Sequence, residues 1–216
     1  MDNAAKKEIT AVEIQVKNRK RRSIFVNGEF AFGVHEDVLL EQGIGVGDAL
    51  SETDIARILD AENRKQAKEK ALRILSYRAR SEDEMRKRLR EAKFSDEVTE
   101  ATLETLKRLS LINDKEFALS YARHQIITKP CGEFLLRREL KNKGISEDFI
   151  LAAIEEAFKE RPQAEVARDL ARKKKRQYSS VDEAKAKKRT ADFLMRRGFS
   201  WDIVSEILDN WEIYSL

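Results

Sequence analysis

Few residues in this 216-residue chain could do covalent or metal chemistry: two histidines, His35 and His124, and one cysteine, Cys131. They form no cluster with the spacing of a zinc site. No glycine loop ending in Gly-Lys-Ser/Thr is present to cradle a phosphate. The one glycine cluster, Gly43-Ile-Gly45-Val-Gly47, follows a short helical pattern (Glu36 to Glu41) rather than a strand. It reads as a helix C-cap and turn. Carboxylates abound, but with 38% of the residues charged they read as solvated faces. No enzyme is expected, and no metal or cofactor. The remaining chemistry is that of cations. Arg86, Arg90 and Lys93 fall at i, i+4 and i+7, beside the apolar pair Met85 and Leu89, and Arg137 and Lys141 repeat the first two positions 51 residues on. Such a row suits a polyanion, most simply a phosphate backbone. It is also what an ordinary solvated face with i, i+4 pairs looks like.

The elements that must position these cations repeat. Leu89-Arg-Glu-Ala-Lys-Phe94-Ser95 aligns with Leu140-Lys-Asn-Lys-Gly-Ile145-Ser146 and with Leu194-Met-Arg-Arg-Gly-Phe199-Ser200. The register continues to Val98, Phe149 and Ile203, and to Leu103, Ile154 and Leu208. Each serine precedes residues that favour a helix start, as an N-cap should. The unit is helix, helix, turn, capped helix, used three times. The predicted helices span 67–79, 81–93 and 95–109, then 114–128, 133–143 and 146–158, then 162–177, 182–197 and 200–213. Pro130 and Pro162 fall at or near joints. Amphipathic triplets that cannot bury their faces alone stack on one another, so the expectation is mainly α: an elongated, curved array of three tandem three-helix repeats. Phe94, Phe117, Tyr121, Phe149, Phe158, Phe193, Phe199 and Trp211 fall on the apolar stripes and read as core.

A different region precedes the repeats. Ile9 to Val16 is rich in β-branched residues, and Ser23–Val26 and Glu29–Val34 flank Asn27-Gly28, the strongest short hairpin signal. A small antiparallel sheet of about three strands is expected, covered by the helical pattern around Val38-Leu39-Leu40. Ser51 and Asp54 resemble a capping box. The helix they open runs toward the charged stretch Glu62 to Lys70, which is either a linker or a continuous helix. Four intervals result: a sheet region at 1–62, then repeats at 63–112, 113–158 and 159–216.

The net charge of +4 hides a segregation. Residues 64–93 hold twelve Lys/Arg against five Asp/Glu, 119–144 six against two, and 159–198 fourteen against six. The third helix of each repeat is acidic instead: residues 145–158 and 199–216 each carry four acids and no Lys or Arg. First and second helices would therefore line up a basic face and third helices an acidic one. The candidate polyanion-binding residues are Arg86, Arg90, Lys93, Arg137, Lys141, Lys143, Lys188, Arg189, Arg196 and Arg197. The run Lys17-Asn-Arg-Lys-Arg-Arg22 is read as a loop between strands, either solvated or touching nucleic acid. No apolar run approaches a membrane span, the N-terminus lacks a signal-peptide core, and a lone cysteine fits a reducing cytoplasm.

Several motifs carry a family resemblance. Ala71 to Leu89, reading Ala-Leu-Arg-Ile-Leu-Ser-Tyr-Arg-Ala-Arg-Ser-Glu-Asp-Glu-Met-Arg-Lys-Arg-Leu, resembles the opening signature of the RecX family of recombination regulators. Leu111 to Phe117 resembles its inter-repeat link, Gly132 to Ser146 its second-repeat signature, and Lys188 to Phe199 its third. Met85, Asn113 and Phe94 depart mildly from the usual Leu, Asp and Gly-containing turn. The resemblance implies a non-enzymatic modulator of the RecA recombinase. Such a protein binds in the groove of the RecA filament on single-stranded DNA and damps ATP hydrolysis, strand exchange and coprotease activity. The implied partners are the RecA filament and single-stranded DNA, with no membrane and a monomeric chain. A sequence-tolerant nucleic-acid-binding protein and a protein-only repeat adaptor are the alternatives.

Overall fold

The computed structural model describes residues 7–214; the outer ends of the first and last predicted intervals, 1–6 and 215–216, lie outside the described residues. The chain divides into two compact units. One contains the residues up to Arg78 together with Arg86–Arg108, the other Ala79–Met85 together with the residues from Leu109 onward.

In the first unit, strands β1 (Lys7–Gln15), β2 (Asn18–Val26), β3 (Glu29–His35) and β4 (Ala49–Leu50) form an antiparallel sheet in the order β3-β2-β1-β4. Asn27 and Gly28 both take positive φ, 52° and 87°, as a type I′ hairpin turn requires. The sheet has four strands where three were expected. β4 is two residues long and pairs with Lys7 and Glu8, too short to leave an alternation in the sequence. Ile9, Ile24, Val26, Phe32 and Val34 bury one face of the sheet against Val38 and Leu39 of α1 (Glu36–Gln42) and Ile58 of α2 (Glu52–Leu75). Gly43 ends α1 in the left-handed region, φ 63°, and its N–H returns to the Leu39 and Leu40 carbonyls. The glycine cluster is the cap and turn its context implied.

Ser51 and Asp54 form the expected capping box, and α2 then continues unbroken for 24 residues through the charged stretch. The stretch is helix rather than linker because it has an inward face: Glu62, Ala67 and Ala71 are buried. The helix ends at Leu75, earlier than the predicted 79. The run Lys17–Arg22 also departs from expectation. Asn18–Arg22 belongs to β2, not to a loop. Arg21 reaches the Glu62 carboxylate at 2.6 Å and the Gly33 carbonyl at 3.0 Å, and Arg22 reaches Glu36 at 2.7 Å. Two of the five basic residues in the run therefore tie the sheet to its covering helices.

The repeated unit is present three times. Its first helices are the C-terminal half of α2, α5 (Asp114–Thr128) and α8 (Gln163–Gln177). Its second helices are α3 (Glu82–Glu91), α6 (Glu133–Asn142) and α9 (Glu183–Arg196). Its third helices are α4 (Asp96–Arg108), α7 (Glu147–Glu160) and α10 (Trp201–Asp209), the last followed by a 3-10 turn at Trp211–Tyr214. Every second helix ends in the same way. Lys93, Gly144 and Gly198 take φ of 69°, 77° and 84°. The next N–H in each case returns five residues, from Phe94 to Leu89, Ile145 to Leu140 and Phe199 to Leu194, at 3.2–3.3 Å. This is a Schellman motif with its apolar contact across the turn. Lys93 holds the left-handed position that the other two repeats give to glycine, where a Cβ is unfavourable. Lys93→Gly should therefore stabilise the first unit by about 1 kcal/mol, read as a higher midpoint in chemical denaturation. An unchanged or lower midpoint would show that the turn tolerates a side chain at no cost.

All three serines mark helix starts, but only Ser95 caps with its side chain, accepting the Val98 N–H at 3.3 Å. Ser146 and Ser200 sit at N-cap positions without a side-chain bond. An alanine there should cost little, whereas at Ser95 it should cost about 0.5–2 kcal/mol. Of the register positions expected to face inward on the third helices, Val98, Leu103 and Ile154 are buried and Ile203 and Leu208 pack partly buried against the core, but Phe149 does not. Phe149 is 39% exposed, and its neighbour Ile150 is fully buried. The positions buried in every repeat are Thr99, Ile150 and Val204, and Thr102, Ala153 and Ile207. Of the aromatic residues expected in the core, Phe199 and Trp211 are buried, Phe94, Phe117, Tyr121, Phe158 and Phe193 are half-buried, and Phe149 lies outside.

Thr99 and Thr102 are the polar members of these positions; Thr102 donates to the Val98 carbonyl at 2.7 Å, but the buried Thr99 hydroxyl has no hydrogen-bond partner. Leaving such a group unsatisfied costs about 1–3 kcal/mol. Thr99→Val keeps the shape and should raise stability by about 1 kcal/mol, measured by urea unfolding. A loss of stability would mean that the hydroxyl is satisfied in solution.

Two joints within the second unit are built alike. The Ser81 hydroxyl donates to the Lys143 carbonyl at 2.6 Å, and the Glu82 N–H at the start of α3 donates to Asp114 at 2.8 Å. At the start of α6 the Gly132 N–H donates to the Arg197 carbonyl at 2.9 Å, and the Glu133 N–H donates to Gln163 at 2.7 Å. The second helices α3 and α6 thus have N-terminal donors satisfied by the following repeat, whereas α9 is capped by its own Asp182, which accepts the Lys185 N–H at 3.1 Å. Gly132 is required at its joint: a Cβ there would run into the backbone at Gly198.

Candidate polyanion-binding surfaces

The second helices carry most of the candidate cations, because their inner stripe is narrow. Leu89, Leu136, Leu140 and Leu194 are fully buried, leaving the flanking positions to Arg and Lys. Arg86 and Arg90 project from α3 but are not free. Arg86 grips Glu100 of α4 with two nitrogens, at 2.7 and 3.0 Å, and Arg90 binds Asp96 at 2.8 Å. The Arg86 hydrogen bond holds the Glu100 carboxyl below its ordinary range, against a smaller opposing effect of burial. That contribution to stability is complete above the ordinary glutamate pKa and fades as pH falls below it. Arg137 repeats the arrangement with Glu147 of α7 at 2.5 Å. The acidic third helices therefore lie within ion-pairing reach of three of the row's cations, where sequence segregation suggested an opposed face. Pairs as exposed as these contribute up to about 1 kcal/mol each, so a phosphate can displace the carboxylate at small cost.

The other candidates fall into two groups. Lys141, Lys188 and Arg196 are exposed. Lys143, Arg189 and Arg197 lean on aromatic rings. The Lys143 ammonium pairs with Glu84 at 2.9 Å and lies 4.8 Å from the Tyr121 ring centre and 5.8 Å from that of Phe117. It is half-buried, and its carbonyl accepts the Ser81 hydroxyl, so it serves the joint between repeats. The Arg189 and Arg197 guanidiniums lie over Tyr178 and Phe193 at 5.8 and 5.6 Å. Lys93 is exposed at the left-handed turn. Residue reasoning passed over Arg172 to Arg176, five consecutive cations on α8, although the run is plain in the sequence. Lys174 and Lys175 in that run cover Phe193 and Trp211 at 4.6 and 5.0 Å.

Cys131 is buried and Tyr121 half-buried. Burial, with a smaller effect from Glu139, pushes the Cys131 thiol up to about 11, so it stays protonated at neutral pH. Burial and the hydrogen bond to Glu139 push Tyr121 up to about 12. Among the described residues no group of three or more His, Cys, Asp or Glu could hold a metal ion, and no helix is long and apolar enough to cross a membrane.

Comparison with known proteins gives four family matches in chain order. They are the regulatory protein RecX N-terminal domain at residues 7–51, and the RecX first, second and third three-helix domains at 67–106, 113–154 and 162–208. A protein of Limosilactobacillus reuteri (strain DSM 20016) named Regulatory protein RecX is 35% identical over 202 residues, covering 94% of this chain and 76% of that protein. The protein of the same name from Bacillus cytotoxicus is 32% identical over 205 residues, covering 93% and 76%. A crystal structure described as regulatory protein RecX superposes with a TM-score of 0.76 at 34% identity, covering 94% of this chain and 99% of the other. That of RecX from Lactobacillus salivarius gives 0.64 at 27% identity, covering 71% and 99%.

Proposed function

This chain belongs to the RecX family of regulatory proteins, and from that premise we propose that it binds the RecA filament on single-stranded DNA and modulates it, mostly by inhibition. Recombinase, ATPase and coprotease activities are the outputs affected. The observation that carries this reading is the run of relatives named as regulatory proteins across nine-tenths of the chain. The reading is of a non-catalytic, cytoplasmic monomer acting in homologous recombination, DNA repair and the SOS response. Its four working parts are the sheet region 1–62 and repeats at 63–112, 113–158 and 159–216; the four family matches fall inside these intervals. The exposed cations of the second helices supply the attraction to a polyanionic filament.

Titrating the protein into a RecA ATPase assay on single-stranded DNA tests the proposal. Inhibition at amounts well below the RecA concentration is expected, because a bound regulator stops growth of a whole filament. Inhibition only at DNA-saturating amounts would instead favour the second reading, a sequence-tolerant nucleic-acid-binding protein, for which the run Arg172 to Arg176 speaks. Absence of any effect would leave a protein-only repeat adaptor.

A further inference from the structure

The repeat register places Arg90, Lys141 and Met195 at one position, and Asp96, Glu147 and Trp201 at another. In the first repeat the two positions hold an ion pair, Arg90 to Asp96 at 2.8 Å. In the third they hold Met195 and Trp201, which are 45% and 58% exposed. A third apolar residue comes to the same turn. The Phe134 N–H donates to the Gly198 carbonyl at 3.1 Å, three residues from both Met195 and Trp201, and Phe134 is 61% exposed. The residue equivalent to Phe134 at the other joint is Asp83, which lies against Gly144. Three positions that are charged at one joint are thus apolar and in water at the other.

Large apolar side chains brought to one exposed place mark an interaction site. Tryptophan, methionine and phenylalanine beside arginine is the composition of interface centres. The flanks have mixed sign. Arg196 follows Met195 and Arg138 lies one turn from Phe134, both exposed, while Asp202 follows Trp201 and Glu133 precedes Phe134. A uniformly anionic strand gains nothing from those two carboxylates, and Met195 offers no flat face for a base. A protein surface can match both signs.

We propose that Phe134, Met195 and Trp201 form a protein-docking anchor on the third repeat. Its partner is a folded protein surface that inserts an apolar side chain, with a carboxylate beside it for Arg138. The inference rests on the functional reading above, in which the partner is the RecA filament. The test compares the unaltered protein with Phe134→Ser/Met195→Ser/Trp201→Ser in two assays: co-sedimentation with RecA filaments, and binding to free oligo(dT) across a salt series. Trp201→Gln alone serves as the second variant if the triple loses its helical circular dichroism. The expected result is at least a tenfold loss of filament affinity, with oligonucleotide affinity and salt slope unchanged. Filament affinity within twofold of the unaltered protein overturns the anchor. A parallel loss of oligo(dT) affinity overturns it too, in favour of a base-stacking platform. If the unaltered protein fails to sediment with filaments, the functional reading itself falls, and the anchor with it.

Discussion

Glu62→Ala should destabilise the first unit by about 3–5 kcal/mol, the cost of removing one partner of a buried charged pair. The Glu62 side chain is only 4% exposed, and its two oxygens serve three elements. One accepts from Arg21 of β2 and from Gln66 of its own helix, both at 2.6 Å, and the other accepts the buried His35 N–H at 2.7 Å. Alanine leaves a guanidinium, an amide and a backbone N–H without their acceptor in a place water cannot easily enter. Glu62→Gln keeps an oxygen for His35 but turns an NH2 toward Arg21, so its loss should be intermediate. Urea unfolding followed by circular dichroism gives the magnitude. A double-mutant cycle with Arg21→Ala separates the pair from the backbone bond. A loss below about 1 kcal/mol for Glu62→Ala would mean that apolar packing alone holds the sheet on α2.

Charge reversal at Lys141, Lys188 and Arg196 should weaken binding to single-stranded DNA or its filament by about 100-fold at 0.1 M salt, with the log–log salt slope shallower by about 2. The estimate follows from three lost phosphate contacts at about 0.7 each. The same reversal at Arg86, Arg90 and Arg137 should cost less binding per residue, since each already faces Glu100, Asp96 or Glu147. It should cost more stability, since two carboxylates would then meet. Equilibrium binding across a salt series, with thermal unfolding of each variant, distinguishes the two sets. If both triples keep the slope of the unaltered protein, the basic helices are solvated surface only. The family contact would then lie on the acidic third helices or the sheet.

Much of the fold was legible from residues alone because its signals are local. Asn27-Gly28 dictates its own turn, Ser51 and Asp54 bond to each other, and Leu89, Leu140 and Leu194 meet the residue five positions on across a Schellman turn. The helix at 114–128 matches its expected bounds for the same reason. The candidate site was legible only as a set of cations. Nothing local says that Arg86 faces Glu100, fourteen residues away, or that Lys143 has its ammonium over Tyr121.

Residue order and periodicity determined by themselves the three-helix repeat, its three turns, the hairpin, and the confinement of positive charge to particular helices. Tertiary structure decided which of those charges remain available, that Glu62 is a buried clamp rather than one more acid on a charged stretch, and that Ile150, not Phe149, faces inward. It also decided that two residues at Ala49–Leu50 complete the sheet. The physical reason is common to these cases. A turn or a cap is a bond between neighbours in the chain, whereas the partner of a charge, or the face that a helix buries, is set by which distant element packs against it.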